Sequence, residues 1–288
     1  MSNTRHGTIR SHGGDTLTSQ LTNEDVDCQR SIPQETIPYK RPFSRSGVAS
    51  TPAPLDSAGR TCYQPIKNLA DRVIAFFLLI PALPIVGIAS LLVKWTSRGP
   101  ALYSQVRVGK NGSLFTIYKI RSMIHNCESL TGPRWSLPGD PRVTRIGAFL
   151  RATHLDELPQ LWNVVRGEMS LIGPRPERPE FIPTLEKAIP SYRQRLSVKP
   201  GVTGISQVLL PSDSDMDSVR QKLTLDLYYI RHLGPWLDSW LFACTILHVA
   251  GLPARRWNKW LLDRAHSESE RRSESVSYQP RPRMRKSA

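Results

Sequence analysis

Cysteine is scarce and scattered in this sequence of 288 residues. The four cysteines are Cys28, Cys62, Cys127 and Cys244, and no two of them form a CxxC pair. Structural zinc sites need closely spaced ligands, and small secreted domains held by disulfides need a higher density of cysteine. The sequence therefore indicates neither a zinc domain nor a disulfide framework, and it fits a reducing compartment such as the cytosol.

Acidic residues are also in deficit. The chain has 24 Asp and Glu against 39 Lys and Arg, which gives a net charge of +15. Such an excess calls for a polyanionic partner: a nucleic acid, an anionic membrane surface or a phosphorylated substrate. The sequence contains no recognised nucleic-acid-binding motif, so we expect no nucleic acid partner. A non-enzymatic basic protein that binds a membrane surface or nucleic acid is the alternative to an enzyme.

Both ends of the chain lack apolar periodicity. The first 60 residues contain no apolar segment of the signal-peptide type, and the last residues are polar and basic. Segments of this kind cannot offset their ordering entropy by burial. We predict a disordered N-terminal tail over 1–65, a membrane segment over 66–96, a folded domain over 97–253 and a basic, largely disordered tail over 254–288.

One long apolar run contrasts with these polar ends. Val73 to Val93 contains no charged residue, and as one straight helix it would be about 30 Å long, which matches the hydrocarbon core of a bilayer. Pro81 and Pro84 lie in its middle, and each removes a backbone donor. Basic residues flank both ends, so the positive-inside rule favours neither orientation. The sequence leaves open a helix that breaks at the prolines and re-enters the same face, and a kinked helix that spans the membrane.

A β-hairpin is predicted next. Ala101 to Met123 contains two short β-like segments around a Gly-Lys-Asn-Gly turn. Lys119 and Arg121 are two residues apart in the second segment and would share one face of the sheet. Such a pair is either a solvated basic face or a clamp for phosphate, because both side chains donate to phosphate oxygens.

Two adjacent carboxylates, Asp156 and Glu157, precede Pro159 and an apolar run. Acids are common in the first turn of a helix because they favour the helix dipole, and proline is tolerated there. Neighbouring side chains on a helix point about 100° apart. Two adjacent acids can therefore face different groups and divide a task between them.

The motifs around this pair resemble those of the bacterial sugar transferases, the monotopic polyprenyl-phosphate phosphoglycosyl transferases. The resemblance covers about 66–250 and fits the minimal type, a catalytic module with no multi-span region before it. The matching motifs are Asp140-Pro141-Arg142, Arg151, Leu155-Asp156-Glu157-Leu158-Pro159-Gln160, Asn163-Val164, Gly167-Glu168-Met169-Ser170, Gly173-Pro174-Arg175-Pro176, Lys199-Pro200-Gly201-Val202-Thr203-Gly204 and Asp226-Leu227-Tyr228-Tyr229.

This resemblance implies an α+β monotopic membrane protein with a re-entrant, proline-broken membrane helix, a small β-hairpin and interfacial helices. It implies transfer of a sugar phosphate from a nucleotide diphosphate sugar, usually a UDP-sugar, to a polyprenyl phosphate such as undecaprenyl phosphate. Such enzymes initiate exopolysaccharide, O-antigen or glycoconjugate synthesis at the cytoplasmic face of the inner membrane, in contact with membrane lipid. The sugar, the product and the oligomeric state are left open.

The resemblance also assigns roles to residues. Asp156 would be the nucleophile, forming a covalent phosphosugar intermediate, and Glu157 would hold Mg²⁺. A carboxylate that attacks a diphosphate must overcome anion repulsion, so nearby cations are required. We expect these contacts to substrate or phosphate from Lys119, Arg121, Arg151, Arg175 and Asp226. Direct attack in a ternary complex, without a covalent intermediate, is the mechanistic alternative.

Two departures from the family pattern accompany the match. Leu83 stands before Pro84, where the family commonly has serine, and the Gly-Arg pair usual after Gln207-Val208 is absent. Farther along, Pro235 to Pro253 is apolar but too short to cross a bilayer, so we predict an interfacial helix there.

Overall fold

The protein mixes helices with two small β-sheets. The computed structural model describes residues 60–129, 132–136, 139–189, 191–211, 215–252 and 258–277. The elements are helices α1 (Arg60–Thr96), α2 (Arg145–Ala152), α3 (Gln160–Arg166), α4 (Ile182–Ala188), α5 (Ile205–Leu209), α6 (Met216–Arg231), α7 (Pro235–Val249) and α8 (Lys259–Ser277), and strands β1 (Leu102–Val108), β2 (Leu114–Ile120), β3 (Ser170–Ile172) and β4 (Gly201–Thr203).

Helix α1 contains the long apolar run and extends it to 37 residues. It is the one helix, among the residues that the structure describes, that is long and apolar enough to cross a membrane. The helix continues through Pro81 and Pro84, so the predicted break in secondary structure at the prolines is wrong. A proline removes one helical hydrogen bond and can bend a helix without ending it. The re-entrant path itself stays a prediction.

One face of α1 packs along the rest of the protein. Ala75, Ala82 and Ala89 are buried and recur every two turns, and Val93 continues the stripe. Ala75 and Ala82 belong to the main hydrophobic core, whereas Ala89 and Val93 join a smaller core. The other faces expose large apolar side chains, as expected for contact with lipid; these include Ile66, Leu69, Phe76, Phe77, Ile80, Leu83, Ile88, Leu91 and Trp95.

Polar contacts fix both ends of α1 to the same folded domain. Near its start, Lys67 is paired with Asp238 of α7 at 2.8 Å. Just beyond its end, the carbonyl oxygen of Ser97 accepts a hydrogen bond from Arg121 at 2.9 Å. The folded domain therefore contacts α1 near both of its ends.

The predicted hairpin is confirmed. Strands β1 and β2 pair antiparallel from Leu102 opposite Ile120 to Val108 opposite Leu114. Asn111 in the connecting turn has a φ of 56°, a left-handed conformation that asparagine tolerates well. Phe115 and Ile117 of β2 are buried in the main core, so β2 is held firmly against the helices.

A short parallel pair, β3 and β4, lies next to the Gly173–Pro176 turn. Ser170 pairs with Gly201, and Ile172 pairs with Thr203. A Cβ atom on Gly201 would lie 2.1 Å from the backbone nitrogen of Gly173. Only glycine allows this approach, which explains why glycines occur in both motifs.

The C-terminal region corrects the tail prediction. The sequence predicts disorder over 254–288, but residues 259–277 form α8. Leu261 and Ala265 are buried in the main core, and Arg231 of α6 pairs with Glu268 at 3.2 Å. The two apolar residues are four apart on one helical face, a signal that the polar average composition conceals.

The other predicted tail is tested only at its end. Helix α1 begins at Arg60, so residues 60–65 are helical rather than part of a tail. Residues 1–59, 253–257 and 278–288 lie outside the described residues. Helix α7 has the predicted position and is 15 residues long, with Trp236 exposed over 80% of its surface. Its interfacial position stays a prediction.

Candidate active site

The adjacent carboxylates lie in a 3₁₀ turn of their own. This turn spans Leu155–Glu157, follows His154 in a left-handed conformation, and precedes α3. The prediction that the pair belongs to the first turn of the α-helix is therefore wrong, since α3 starts at Gln160, after Pro159. In a 3₁₀ turn successive side chains point about 120° apart. Asp156 and Glu157 thus face different surroundings although they are neighbours in sequence.

Glu157 is the paired member of the two. Lys119 donates a hydrogen bond to its Oε1 atom at 2.7 Å, and Arg175 donates to the same oxygen at 2.8 Å. Burial alone would raise the pKa of Glu157, but Arg175 and Lys119 outweigh burial and hold that pKa well below its usual value. Glu157 is therefore ionised at any physiological pH.

Asp156 is the unpaired member. Its residue surface is 6% exposed, and its carboxylate has no hydrogen bond or ion pair within the described part of the chain. Burial and the neighbouring Glu157 raise its pKa to about 6, although Lys119, Arg151 and Arg175 act in the opposite direction. Asp156 is thus ionised at neutral pH and lies near several cations. It forms an ion pair with none of those that the structure describes.

Lys119 is positioned by the packing of β2 on α3. The buried side chain of Asn163 in α3 donates to the carbonyl oxygen of Thr116 at 2.7 Å. It also donates to Glu168 at 2.8 Å. The bond to Thr116 fixes β2 relative to α3, and it therefore helps to fix Lys119 relative to the carboxylates.

A buried ion pair between Arg195 and Asp226 supports the backbone of Arg175. Arg195 donates to the backbone oxygen of Arg175 at 3.0 Å and to Asp226 at 2.8 Å. Ser206 donates to the other oxygen of Asp226 at 2.8 Å. Asp226 is 1% exposed, and through Arg195 it supports the Gly173–Pro176 turn. Its predicted contact with substrate stays a prediction.

Arg151 acts on the carboxylate pair through its positive charge. It donates to the hydroxyl groups of Ser122 and Ser136, each at 2.8 Å. It also lowers the pKa of Asp156 through its charge, as the second of three cations, after Lys119 and before Arg175. The structure thus brings Lys119, Arg151 and Arg175 together around the carboxylates, as predicted.

Arg121 is the exception among the predicted cations. Its guanidinium donates to the backbone oxygens of Ser97 and Arg98 and to the Ser97 hydroxyl group. Gly99, with a φ of 108°, lets the chain turn around this side chain. Arg121 follows the last residue of β2 and fixes the end of α1, so the prediction that it forms a phosphate clamp with Lys119 is wrong for this structure.

Comparison with known proteins agrees with this geometry. The bacterial sugar transferase family matches residues 62–251, about two thirds of the chain and all of the site described above. The chain belongs to this family. The resemblance seen in the motifs is therefore confirmed.

Three relatives illustrate the match. The UDP-N-acetylgalactosamine-undecaprenyl-phosphate N-acetylgalactosaminephosphotransferase of Aeromonas hydrophila is 42% identical over 195 residues, which are 67% of this chain and 46% of the relative. A putative undecaprenyl-phosphate N-acetylgalactosaminyl 1-phosphate transferase of Bacillus subtilis (strain 168) is 50% identical over 134 residues, 46% of this chain and 74% of the relative. The undecaprenyl-phosphate glucose phosphotransferase of Komagataeibacter xylinus is 40% identical over 186 residues, 62% of this chain and 35% of the relative.

The matched regions cover the relatives unequally. The match spans less than half of the Aeromonas and Komagataeibacter proteins and about three quarters of the Bacillus protein. The activities named for these relatives also differ in the sugar, which is N-acetylgalactosamine in two cases and glucose in the third. The shared region therefore supports a common chemistry and does not select a sugar.

The described residues offer few protein ligands for a magnesium ion. No group of three or more His, Cys, Asp or Glu residues is clustered in the described ranges. Mg²⁺ commonly takes only one or two carboxylates and completes its shell with water and substrate phosphates. Both cations that contact Glu157 use its Oε1 atom, so the residues present fit a magnesium ion held by Glu157 and substrate.

The supporting roles of two residues, Arg195 and Asn163, were not predicted from the sequence. Arg195 lies in a run with Arg193, and nothing in the pattern distinguishes the buried arginine from the surface one. Asn163 belongs to a matching motif, but its link between β2 and α3 depends on a contact with Thr116, 47 residues away. Neither contact has a local signal in the sequence.

Proposed function

We propose that this sugar transferase moves a sugar phosphate from a UDP-sugar to a polyprenyl phosphate, as an early step of polysaccharide or glycoconjugate synthesis. The observation that carries the proposal is the state of Asp156: a buried, unpaired carboxylate with a pKa of about 6 among Lys119, Arg151 and Arg175. Such a group is ionised at neutral pH and is not neutralised by an ion pair, which suits a nucleophile. The activities named for the relatives support the same reaction.

In the first half-reaction a carboxylate oxygen of Asp156 attacks the phosphorus that bears the sugar. The bond from that phosphorus to the oxygen bridging the two phosphates breaks, and UMP leaves with that oxygen. The product on the protein is an acyl phosphate between Asp156 and the sugar phosphate. Lys119 and Arg175 lower the repulsion between the carboxylate and the diphosphate.

In the second half-reaction a phosphate oxygen of the lipid acceptor attacks the same phosphorus. The bond to Asp156 breaks, and the carboxylate is regenerated. One phosphoanhydride bond is broken and one is formed over the cycle, so the nucleotide sugar supplies all of the driving force. No general base is required in either half, because both attacking oxygens are already anionic.

Magnesium is part of the proposal. A bound Mg²⁺ would neutralise charge on the diphosphate, and Glu157 would hold it through a carboxylate oxygen. Glu157→Gln should then require a higher Mg²⁺ concentration for half-maximal activity, with part of the activity regained at saturation. An unchanged Mg²⁺ dependence in this variant would remove Glu157 from the metal site.

We further propose that α1 enters and leaves the membrane on its cytoplasmic face, with membrane lipid around its exposed side. The attachment of both ends of α1 to one folded domain supports this topology. Single cysteines introduced near positions 50 and 111, in a chain without its native cysteines, should both resist an impermeant thiol reagent in intact cells. Labelling of position 50 alone would instead indicate a spanning helix.

The reaction is tested by incubating the full chain in a bilayer with undecaprenyl phosphate and a panel of UDP-sugars. We expect UMP release with one or a few of the sugars, and formation of a lipid-linked sugar diphosphate. Absence of UMP release with every sugar, combined with binding to RNA or DNA that weakens steeply with salt, would support the non-enzymatic alternative.

A further inference from the structure

A second group of basic side chains lies away from the carboxylate pair. Arg72 is in the first part of α1, Lys110 is in the turn between β1 and β2, and Lys199 precedes β4. We call these three residues the basic cluster. Lys110 and Lys119 lie near opposite ends of the hairpin, and the intervening residues of β2 separate them by at least about 15 Å. The basic cluster is thus distinct from the candidate active site.

Asp71 is an acid near the basic cluster, but it already pairs with Lys67. Within the described ranges, none of its three members forms an ion pair with a carboxylate. The neighbouring Lys67 differs, because it pairs with Asp71 at 3.3 Å and with Asp238 at 2.8 Å. Lys110 only approaches the side-chain oxygen of Gln64, at 3.5 Å.

The members of the basic cluster are close enough to affect one another. Burial lowers the pKa of Lys199, and the charges of Arg72 and Lys110 lower it further, whereas Asp71 acts in the opposite direction. Cations held close together repel each other, and this repulsion is relieved when an anion binds between them. The arrangement is therefore typical of an anion site rather than of a solvated surface.

A shallow recess adjoins the basic cluster and opens to solvent. Lys110 and Lys199 line it together with Gln64 and Asn68, whose side-chain amide groups contain hydrogen-bond donors. Charged and neutral donors around one recess suit the several oxygens of a phosphate group.

The recess borders the surface that α1 turns to lipid. Ile66 and Leu69 on the same turns of α1 are exposed over 67% and 66% of their surfaces, and Val73 follows them. Basic side chains beside an exposed apolar helix face match an anionic phospholipid, with its phosphate at the cations and its chains along the helix. A soluble phosphate would gain nothing from the apolar side chains.

We propose that Arg72, Lys110 and Lys199 bind the phosphate headgroup of an anionic phospholipid that lies against the first turns of α1. The occupant is not the acceptor lipid of the proposed reaction, whose phosphate must reach Asp156. The proposal depends on the membrane position of α1 and does not depend on the sugar or on the covalent mechanism.

The test uses the full chain in nanodiscs of phosphatidylcholine with a minor fraction of phosphatidylglycerol. Native mass spectrometry counts the lipids retained after release from the bilayer. The wild type should retain phosphatidylglycerol in preference to phosphatidylcholine, and Lys110→Gln/Lys199→Gln should reduce that retention about tenfold. The control Lys94→Gln/Lys187→Gln removes the same charge from exposed lysines elsewhere and should retain the lipid as the wild type does.

The remaining outcomes separate the other sources of phosphate. Equal retention of both lipids by the wild type, or equal retention by the wild type and the cluster variant, would overturn the proposal. Displacement of phosphatidylglycerol by millimolar inorganic phosphate would show a soluble anion as the occupant, and displacement by an equal fraction of undecaprenyl phosphate would show the acceptor. Both results would also contradict the proposal.

Two further measurements keep the test interpretable. The thermal stability of the cluster variant should not fall, because the substitutions remove mutual repulsion; Lys110→Gln alone, in an exposed turn, repeats the test with a smaller loss. UMP release from a UDP-sugar is measured on the same samples. The cluster variant should keep this activity, so a failure of the lipid proposal and a failure of the proposed reaction would be seen separately.

Discussion

Asp156 and Asp226 are both buried aspartates near the Gly173–Pro176 turn, and they differ in what surrounds them. Asp226 is bonded to Arg195 and Ser206, each at 2.8 Å. Asp156 has three cations nearby and no direct partner among the described residues, and its pKa is raised to about 6. A buried carboxylate with matched partners supports the fold, whereas one left without a partner weakens the fold and is available for chemistry.

The largest expected effect separates the two aspartates by activity. Asp156→Asn keeps the shape of the side chain and removes its nucleophilic charge, so UMP release should fall by at least about 10³-fold. The measurement is turnover with the preferred UDP-sugar and undecaprenyl phosphate. Asp217→Asn, an exposed aspartate of α6, is the control and should leave turnover unchanged. Substantial turnover in Asp156→Asn would remove Asp156 from the chemistry.

The second prediction separates them by stability. Asp226→Asn leaves Arg195 buried without its partner and should lower the free energy of unfolding by about 3–5 kcal/mol. A fall in the melting temperature of roughly 10 °C is expected. The same Asp217→Asn control should change stability by less than about 1 kcal/mol. If Asp226→Asn melts like the wild type, the ion pair does not support the turn.

The third prediction distinguishes the role of Lys119 in activity from the role of Arg121 in stability. Lys119→Gln removes a cation that contacts Glu157 and should lower turnover about 100-fold with little change in melting temperature. Arg121→Gln should do the reverse: stability falls by about 2 kcal/mol, because the backbone oxygens at the end of α1 lose their donor. Turnover per folded molecule should stay within a few-fold of the wild type. Equal losses of activity in both variants would support the phosphate clamp that the sequence predicts for Lys119 and Arg121.

The smallest effect is a gain in stability. A carboxyl group whose pKa rises on folding, here from 3.8 to about 6, destabilises the folded protein once it is ionised. Asp156→Asn should therefore be more stable than the wild type by about 1–3 kcal/mol above pH 6. The gain should shrink as the pH falls from 6 towards 4, where the unfolded chain also becomes protonated. Chemical unfolding at both ends of this pH range measures it, and a loss of stability in the variant at pH 7.5 would contradict the account.

The comparison also shows what the sequence could predict. The hairpin, the apolar helix and the carboxylate pair all have local signals: alternation around a turn, a long uncharged run, and two adjacent acids before a proline. The partners of Asp226, Arg121 and Asn163 are distant in the sequence, and no local pattern specifies them. The cations around Asp156 were predictable only through the family resemblance, since Lys119 and Arg175 approach it from separate elements.

Two errors have a common origin in packing. Residues 259–277 were predicted as disordered because their average composition is polar, yet Leu261 and Ala265 are enough to seat α8 on the core. Pro81 and Pro84 were expected to break α1, yet the helix continues through them against the stripe of alanines. In both cases contacts with other elements outweigh a local preference.

The central claim is that Asp156 carries the sugar phosphate between donor and acceptor. Wild-type protein mixed with a UDP-sugar labelled in the sugar, without lipid acceptor, and quenched rapidly should retain label, which hydroxylamine should release as it does from acyl phosphates. Asp156→Asn should retain none, and Asp226→Asn should retain label in proportion to its folded fraction. An active wild type that never retains label at any quench time would contradict the covalent mechanism and leave direct attack by the acceptor in its place.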